Sequence, residues 1–242
     1  MRTFRSTLHS LFILSFFFIL THTDPCQAEP FHKTLKTMQQ KFLSIKDYQG
    51  IFEYFTARDA KSRKIVFSYF FKKPKMIRME FLEEKFPDTV MLYNPEVVKD
   101  KVRVRVGNSA LAMLQKIFVG EYFELYSKWI IDLRGRGMHE SDWGSFIDEH
   151  LKLLHLYKSE LISETEVNGK ITLFYRLDFD KPDKTMHIKT EEVWIDKKTY
   201  FPIKYIHYDT SGQIIRQSVY HNLKFNTDLP VDIFKKFKTD SR

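Results

Sequence analysis

The chain has 242 residues, of which 39 are Lys or Arg and 31 are Asp or Glu, giving a formal net charge of +8. This modest excess favours attraction to anionic surfaces such as lipid headgroups, and a single cysteine excludes a disulfide within the chain. The 23 Phe, 12 Tyr and 3 Trp bring a large ring area, which must be buried in a core or around an apolar ligand.

The amino terminus has the three parts of an export signal. Arg2 and Arg5 supply a positive start, Leu11 to Leu20 form an apolar core, and the small residues Cys26 and Ala28 precede a cut after Ala28. We therefore predict a cleavable signal peptide over 1–28, a periplasmic location and a single domain over 29–242. An exported chain rarely meets nucleic acid, so no nucleic-acid partner is expected.

Two alternatives to cleavage fit the residues less well. An uncleaved membrane anchor needs about 20 apolar residues, more than this apolar core provides. A lipid-modified Cys26 needs small residues before it, whereas Asp24 and Pro25 stand there. Cleavage removes the only thiol, which leaves neither thiol chemistry nor a cysteine zinc site in the mature chain.

The first predicted elements are one helix and a series of strands. Apolar residues at spacings of three and four from Phe31 to Ile45 predict an amphipathic helix. The period then changes to two, which predicts strands over 51–58, 64–72, 76–81, 90–93 and 101–106. Strands joined by short loops indicate an antiparallel meander.

The middle of the chain is predicted to be helical. We predict a short helix over 110–118, leave 121–133 open between helix and strand, and predict a longer helix from an N-cap at Ser141 to Tyr157. His150 lies in the apolar stripe of that helix, which indicates a core histidine rather than a ligand. Strands return around the Asn168-Gly169 turn, and we predict them over 159–167, 170–179, 185–196, 202–208 and 214–225.

Motifs of catalysis are missing from the sequence. It contains no Gly-rich phosphate loop, no HExxH and no Gly-x-Ser-x-Gly. His139 to Asp142 combine acid, base and nucleophile types, but adjacent side chains point in different directions. Pairing around Ser211-Gly212 places Arg216, not His221, opposite His207, which argues against a shared metal. We expect no catalytic residue, no metal, no cofactor and no enzymatic activity.

Three segments resemble a known family. They are the opening helix with Asp47 to Phe52, the strand-turn-strand Phe71 to Glu80 with its Lys-Pro turn and central Arg, and Val193 to Lys204 continuing to Phe234. In this order, after a signal peptide, they resemble the LolA-like superfamily of outer-membrane lipoprotein carriers. The resemblance is nearest to an uncharacterised exported domain-of-unknown-function family in that group, although 109–157 is longer and more helical than in the small carriers.

The resemblance implies an α+β fold. We expect an incomplete, strongly curved antiparallel β-barrel of about 8–10 strands, with about three helices covering its concave face. In this family an apolar cavity on that face holds acyl chains. Apolar area is enough for such binding, because each buried methylene contributes about 0.8 kcal/mol. Alternation along three strands then predicts the ligand-binding residues of the cavity: Phe52, Tyr54, Phe67, Tyr69, Ile77, Met79 and Phe81. Arg78 matches the family's central Arg, and is expected to be a polar cavity residue, a latch, or simply solvent-facing.

The expected function is therefore to bind or carry a lipid, lipoprotein or other amphiphile in the periplasm without catalysis. Its partners would be acyl chains, an envelope protein or the membrane surface. The alternative is a regulatory or scaffolding module of the same fold, which senses lipid or binds a protein partner in the envelope. An exported hydrolase is the third alternative.

Overall fold

The structure is a computed structural model that describes residues 30–107 and 120–237. Eleven strands form one antiparallel sheet in these ranges, in the order β6-β5-β4-β3-β2-β1-β11-β10-β9-β8-β7. The strands are β1 (Asp47–Arg58), β2 (Lys61–Lys72), β3 (Met76–Phe81), β4 (Val90–Tyr93), β5 (Lys101–Arg105), β6 (Tyr122–Glu124), β7 (Tyr157–Val167), β8 (Lys170–Phe179), β9 (Thr190–Asp196), β10 (Pro202–Tyr208) and β11 (Ile214–Phe225).

The sheet is curved and open, with β6 and β7 at its two edges, so it is an incomplete barrel. Each half is a meander, and β1 pairs with β11 to join the two halves. The predicted fold class is confirmed. The described residues contain eleven strands rather than about 8–10, because β6 lies in the segment whose structure the sequence left open.

Two α-helices of the described residues, α1 (Phe31–Ser44) and α2 (Trp143–Leu153), lie on the concave face. The α1 stripe buries Phe31, Leu35 and Met38, as the spacing of its apolar residues predicts. Neither helix is long and apolar enough to cross a membrane, and the other described residues form no such helix. The predicted helix over 110–118 lies outside the described residues.

Several boundaries differ from the prediction, and β1 and β2 each begin three or four residues earlier than the predicted 51 and 64. Asp142, not Ser141, caps α2, because its carboxylate accepts a hydrogen bond from the backbone N–H of Ser145 at 3.1 Å. The helix ends at Leu153, and Tyr157 already begins β7. The strand predicted from 185 begins at Thr190, because a short 3₁₀ turn and two residues with positive φ precede it.

Candidate ligand-binding cavity

A cavity of about 690 Å³ opens on the concave face, between β1–β5 and the segment 123–141. Its volume lies in the range of sites that hold small molecules, about 300–1,000 Å³. Most of its wall is apolar. The apolar lining residues are Phe52, Tyr54, Ile65, Phe67, Met79, Phe81, Phe86, Met91, Val104, Val106, Phe123, Trp129, Ile130, Ile131, Met138 and Tyr205.

Strand register explains why aromatic residues meet in this wall. Phe52 of β1 lies opposite Phe67 of β2, and Phe67 lies opposite Phe81 of β3. Cross-strand partners point to the same face of a sheet, so the three rings form one continuous row. Centroids are 6.2 Å apart between Phe52 and Phe67 and 4.8 Å apart between Phe67 and Phe81.

Five of the seven residues predicted to bind ligand lie in the cavity wall. They are Phe52, Tyr54, Phe67, Met79 and Phe81. The other two share the concave face but not the cavity. Tyr69 stacks on Tyr48 with centroids 5.8 Å apart and has its hydroxyl 3.2 Å from the Ser141 hydroxyl, and Ile77 is fully buried in the main core.

Arg78 lies on the convex face, where it holds the carboxy-terminal segment. Its side chain is 2% exposed. The guanidinium donates to the backbone carbonyls of Ile233, Lys236 and Phe237 at 2.7–2.9 Å, and to Glu80 at 2.5 Å. The structure thus places Arg78 away from the cavity and out of solvent, as a latch for residues 233–237.

One end of the cavity is polar. Arg63, Thr56 and Arg216 are consecutive partners on β2, β1 and β11, and all three line the cavity. Arg216 is 1% exposed and approaches Asp132 at 3.5 Å. Asp132 also accepts from the Tyr54 hydroxyl, and burial raises the pKa of Tyr54.

Sequence reasoning missed this polar end. Asp132 and Arg216 are 84 positions apart, and the segment that carries Asp132 has no regular period that would place it on the sheet. The usable signal was the register around Ser211-Gly212. That register correctly places Arg216 opposite His207, so the two side chains lie on the same face of the sheet.

A second buried polar cluster lies beside the cavity. The His150 ring nitrogens contact the Phe146 carbonyl at 2.9 Å and Glu191 at 3.0 Å, while His207 lies 3.3 Å from Glu191. His150 is thus a core histidine with its hydrogen bonds satisfied. No group of three or more His, Cys, Asp or Glu among residues 30–107 and 120–237 has the geometry of a metal site.

The comparisons with known proteins identify the class of fold. The lipoprotein LppX of Mycobacterium tuberculosis superposes with a TM-score of 0.51 at 10% identity, covering 83% of this chain and 97% of that one. MucB gives 0.48 at 13% identity, and a LolA superfamily protein from Nitrosomonas europaea gives 0.37 at 13% identity. The latter match covers 86% of this chain and 99% of the other.

This chain aligns with 62% of the length of MucB, over 84% of its own. The family described as "Sporulation protein YdcC-like" matches residues 138–234, and no curated protein matches the chain. At a TM-score of 0.51 and 10% identity, the match to LppX shows a shared fold, and the predicted resemblance agrees with it at the level of fold alone.

Proposed function

We propose that this protein binds and carries an amphiphile with an acyl chain, without catalysis, in the apolar cavity of its half-barrel. The observation that supports this proposal is the cavity itself. It has a volume of about 690 Å³ on the concave face of the sheet, and the rest of that face is tightly packed. An apolar wall of this kind gains binding free energy in proportion to the apolar area it removes from water. The predicted residues Phe52, Tyr54, Phe67, Met79 and Phe81 are its centre, with Tyr69 and Ile77 as supports behind them.

Filling the cavity tests this function. The chain offers a matched pair: Ile65 lines the cavity, and Ile171 is 53% exposed on β8 and does not. We expect Ile65→Trp to weaken oleate binding at least tenfold, because the indole occupies volume that the acyl chain of oleate needs. Ile171→Trp should bind oleate as the wild type does. Equal affinity in both variants would refute a carrier role for this cavity.

Organic extraction of protein expressed from the full chain, followed by mass spectrometry, identifies the natural ligand. A lipid in stoichiometric amount supports the carrier. A lipid-free protein that also fails to bind oleate favours the regulatory alternative. The observation in favour of that alternative is a pair of exposed rings on the segment that covers the cavity, Tyr126 at 60% and Trp129 at 68% exposure, which suit a protein partner.

The same rings suit peripheral contact with a membrane, where aromatic side chains sit at the level of the headgroups. Lys128 lies over the Trp129 ring at 5.5 Å and adds a positive charge for an anionic surface. Lys128 is exposed and is not part of the cavity wall, so Lys128→Gln should slow the transfer of oleate to anionic vesicles and leave its affinity unchanged. An unchanged transfer rate would show that contact with the membrane through this segment plays no part in the transfer of oleate.

We also propose that the chain acts in the periplasm, with residues 1–28 removed and residues 29–242 as one domain. The charge and apolar pattern of the amino terminus supports export. Intact-mass measurement of the exported protein should give a chain beginning at Glu29. A mass corresponding to a diacylated Cys26 would contradict this and tether the protein to a membrane.

A further inference from the structure

We infer that the polar end of the cavity is a binding site for an anionic headgroup, a carboxylate or a phosphate, so that the amphiphile carried is an acidic lipid. This inference rests on the proposed function and names the chemical class of its ligand. It is carried by the row Arg63–Thr56–Arg216, called here the anion row.

Geometry brings the three side chains of the anion row together. Thr56 lies opposite Arg63 on one side and opposite Arg216 on the other. Neighbouring strands are about 4.8 Å apart, so the two arginines start roughly 10 Å from each other with the Thr56 hydroxyl between them. Two long guanidinium side chains can therefore meet one small anion above Thr56.

The anion row has unused hydrogen-bond donors. Among residues 30–107 and 120–237, the Nε and Nη1 of Arg216 have no hydrogen-bond partner, and neither does the Thr56 hydroxyl, although both residues are 1% exposed. The side chain of Arg63 makes no ion pair or hydrogen bond within the described residues and is exposed at the cavity edge. A buried cation with unsatisfied donors is costly, which makes an added acceptor strongly favourable at this position.

Asp132 does not satisfy Arg216. One carboxylate oxygen accepts from the backbone N–H groups of Arg134 and Arg136 at 2.7 and 2.8 Å, and the other accepts from Tyr54. Its contact with Arg216 is long, at 3.5 Å, and reaches only Nη2. Asp132 thus orients the guanidinium while the rest of its donors remain available.

The other charged residues of the wall have partners of their own. Of the cations that line the cavity, Arg136 is committed to Glu149 at 2.5 Å. Glu140 accepts from the backbone of Gly137 at 2.9 Å. The apolar rows begin directly beside the anion row, first Tyr54 with Ile65 and then Phe52 with Phe67. A headgroup on the anion row would place its acyl chain along these rings.

Three lipids with the same chain test the inference: oleate, oleoyl lysophosphatidate and monooleoylglycerol, which carry a carboxylate, a phosphate and a neutral headgroup. We expect wild-type protein expressed from the full chain to prefer at least one anionic lipid over the neutral one by tenfold or more. Whether oleate or lysophosphatidate binds more tightly identifies the source of the anion.

Variants assign the preference to the anion row. Arg63→Gln changes an exposed side chain and should keep the fold, yet reduce the preference at least threefold. Arg216→Lys and Thr56→Val should reduce it further. Arg176→Gln, with the side chain 49% exposed on β8 and outside the cavity, is the control for net charge and should keep the preference.

The outcomes separate the two proposals. Equal binding of all three lipids, or a preference that survives both Arg63→Gln and Arg216→Lys, would overturn the anion site and leave the carrier function standing. Failure of the protein to bind any of the three lipids would overturn both.

Discussion

In the part of the chain that the structure describes, the concave face of the sheet has a filled half and an empty half, the latter containing the cavity. In the filled half, Trp143 of α2 stacks between Tyr48 and Phe201, with ring centroids 4.1 and 4.4 Å away. In the empty half, the row of Phe52, Phe67 and Phe81 faces the cavity of about 690 Å³. Both halves present aromatic side chains from the same strands, so composition does not distinguish them.

What distinguishes the halves is the element that covers each of them. Helices α1 and α2 insert large apolar side chains into the first, including Phe31, Leu35 and Trp143, all buried. Over the second passes the segment 123–141, which contributes to the wall but leaves space beneath it. Whether an aromatic face of the sheet forms core or a ligand-binding site therefore depends on the element that packs over it.

The largest expected effect tests this contrast with one pair of substitutions on β2. Tyr69→Asp buries an unpaired charge against Tyr48 and should abolish the cooperative melting transition. Phe67→Asp places its charge in the cavity, where water can solvate it, and should keep a transition while losing oleate binding. Thermal melts beside oleate titrations measure both, and loss of the transition in Phe67→Asp would show that the cavity half is also core.

A second pair compares truncations. Trp143→Ala in the filled half should lower the free energy of unfolding by about 3–5 kcal/mol, because it leaves a void among stacked rings. Phe81→Ala borders a space that already exists and should cost about 1 kcal/mol, mostly the lost contact with Phe67. Urea unfolding gives both values, and similar costs would contradict the contrast between the halves.

The sequence allowed the sheet and its faces to be predicted but not the cover. Alternation correctly placed the β1–β3 residues on one face, and the resemblance correctly predicted an open half-barrel. Alternation reports a face and nothing about what lies opposite, so Tyr69 and Phe67 looked equivalent although Tyr69 packs against Tyr48 and Phe67 lines the cavity. The polar end was missed for a related reason, because Asp132 reaches Arg216 from an irregular segment.

Arg78 provides a smaller effect, remote from both halves. Arg78→Leu removes a buried guanidinium that binds three backbone carbonyls of residues 233–237, and should cost about 2–3 kcal/mol. Hydrogen exchange should quicken in that segment, while oleate affinity remains that of wild type because the cavity lies on the other face. The control is Arg176→Leu, on an exposed side chain, and a loss of oleate binding in Arg78→Leu alone would show that the latch supports the cavity.

The smallest effect is the pH dependence of the filled half, through His150 and His207. Burial by itself would lower the pKa of His150, but attraction and a hydrogen bond to Glu191 outweigh burial and raise it above its usual value. Burial lowers the pKa of His207 despite the same carboxylate. Both ring nitrogens of His150 contact acceptors, the Phe146 carbonyl and Glu191, which agrees with a protonated ring in the folded state.

The two histidines change the free energy of unfolding with pH in opposite directions. Because the pKa of His150 is raised in the folded state, its protonation stabilises the fold fully at pH values below the unfolded-state pKa of about 6.5. This contribution is lost as the pH rises from about 6.5 through the folded-state pKa. His207, held neutral by folding, destabilises as pH falls below about 6.5, because the unfolded state then binds the extra proton. The free energy of unfolding should therefore pass through a maximum near that pH. In Glu191→Gln, burial is opposed only by the more weakly acting Glu149 and by the hydrogen bond to the Phe146 carbonyl, so the pKa of His150 should fall and the falling limb above pH 6.5 should shrink or disappear, whatever the overall loss of stability. Urea unfolding from pH 5.5 to 8.5 measures both profiles, and an unchanged falling limb in Glu191→Gln would show that His150 does not cause it.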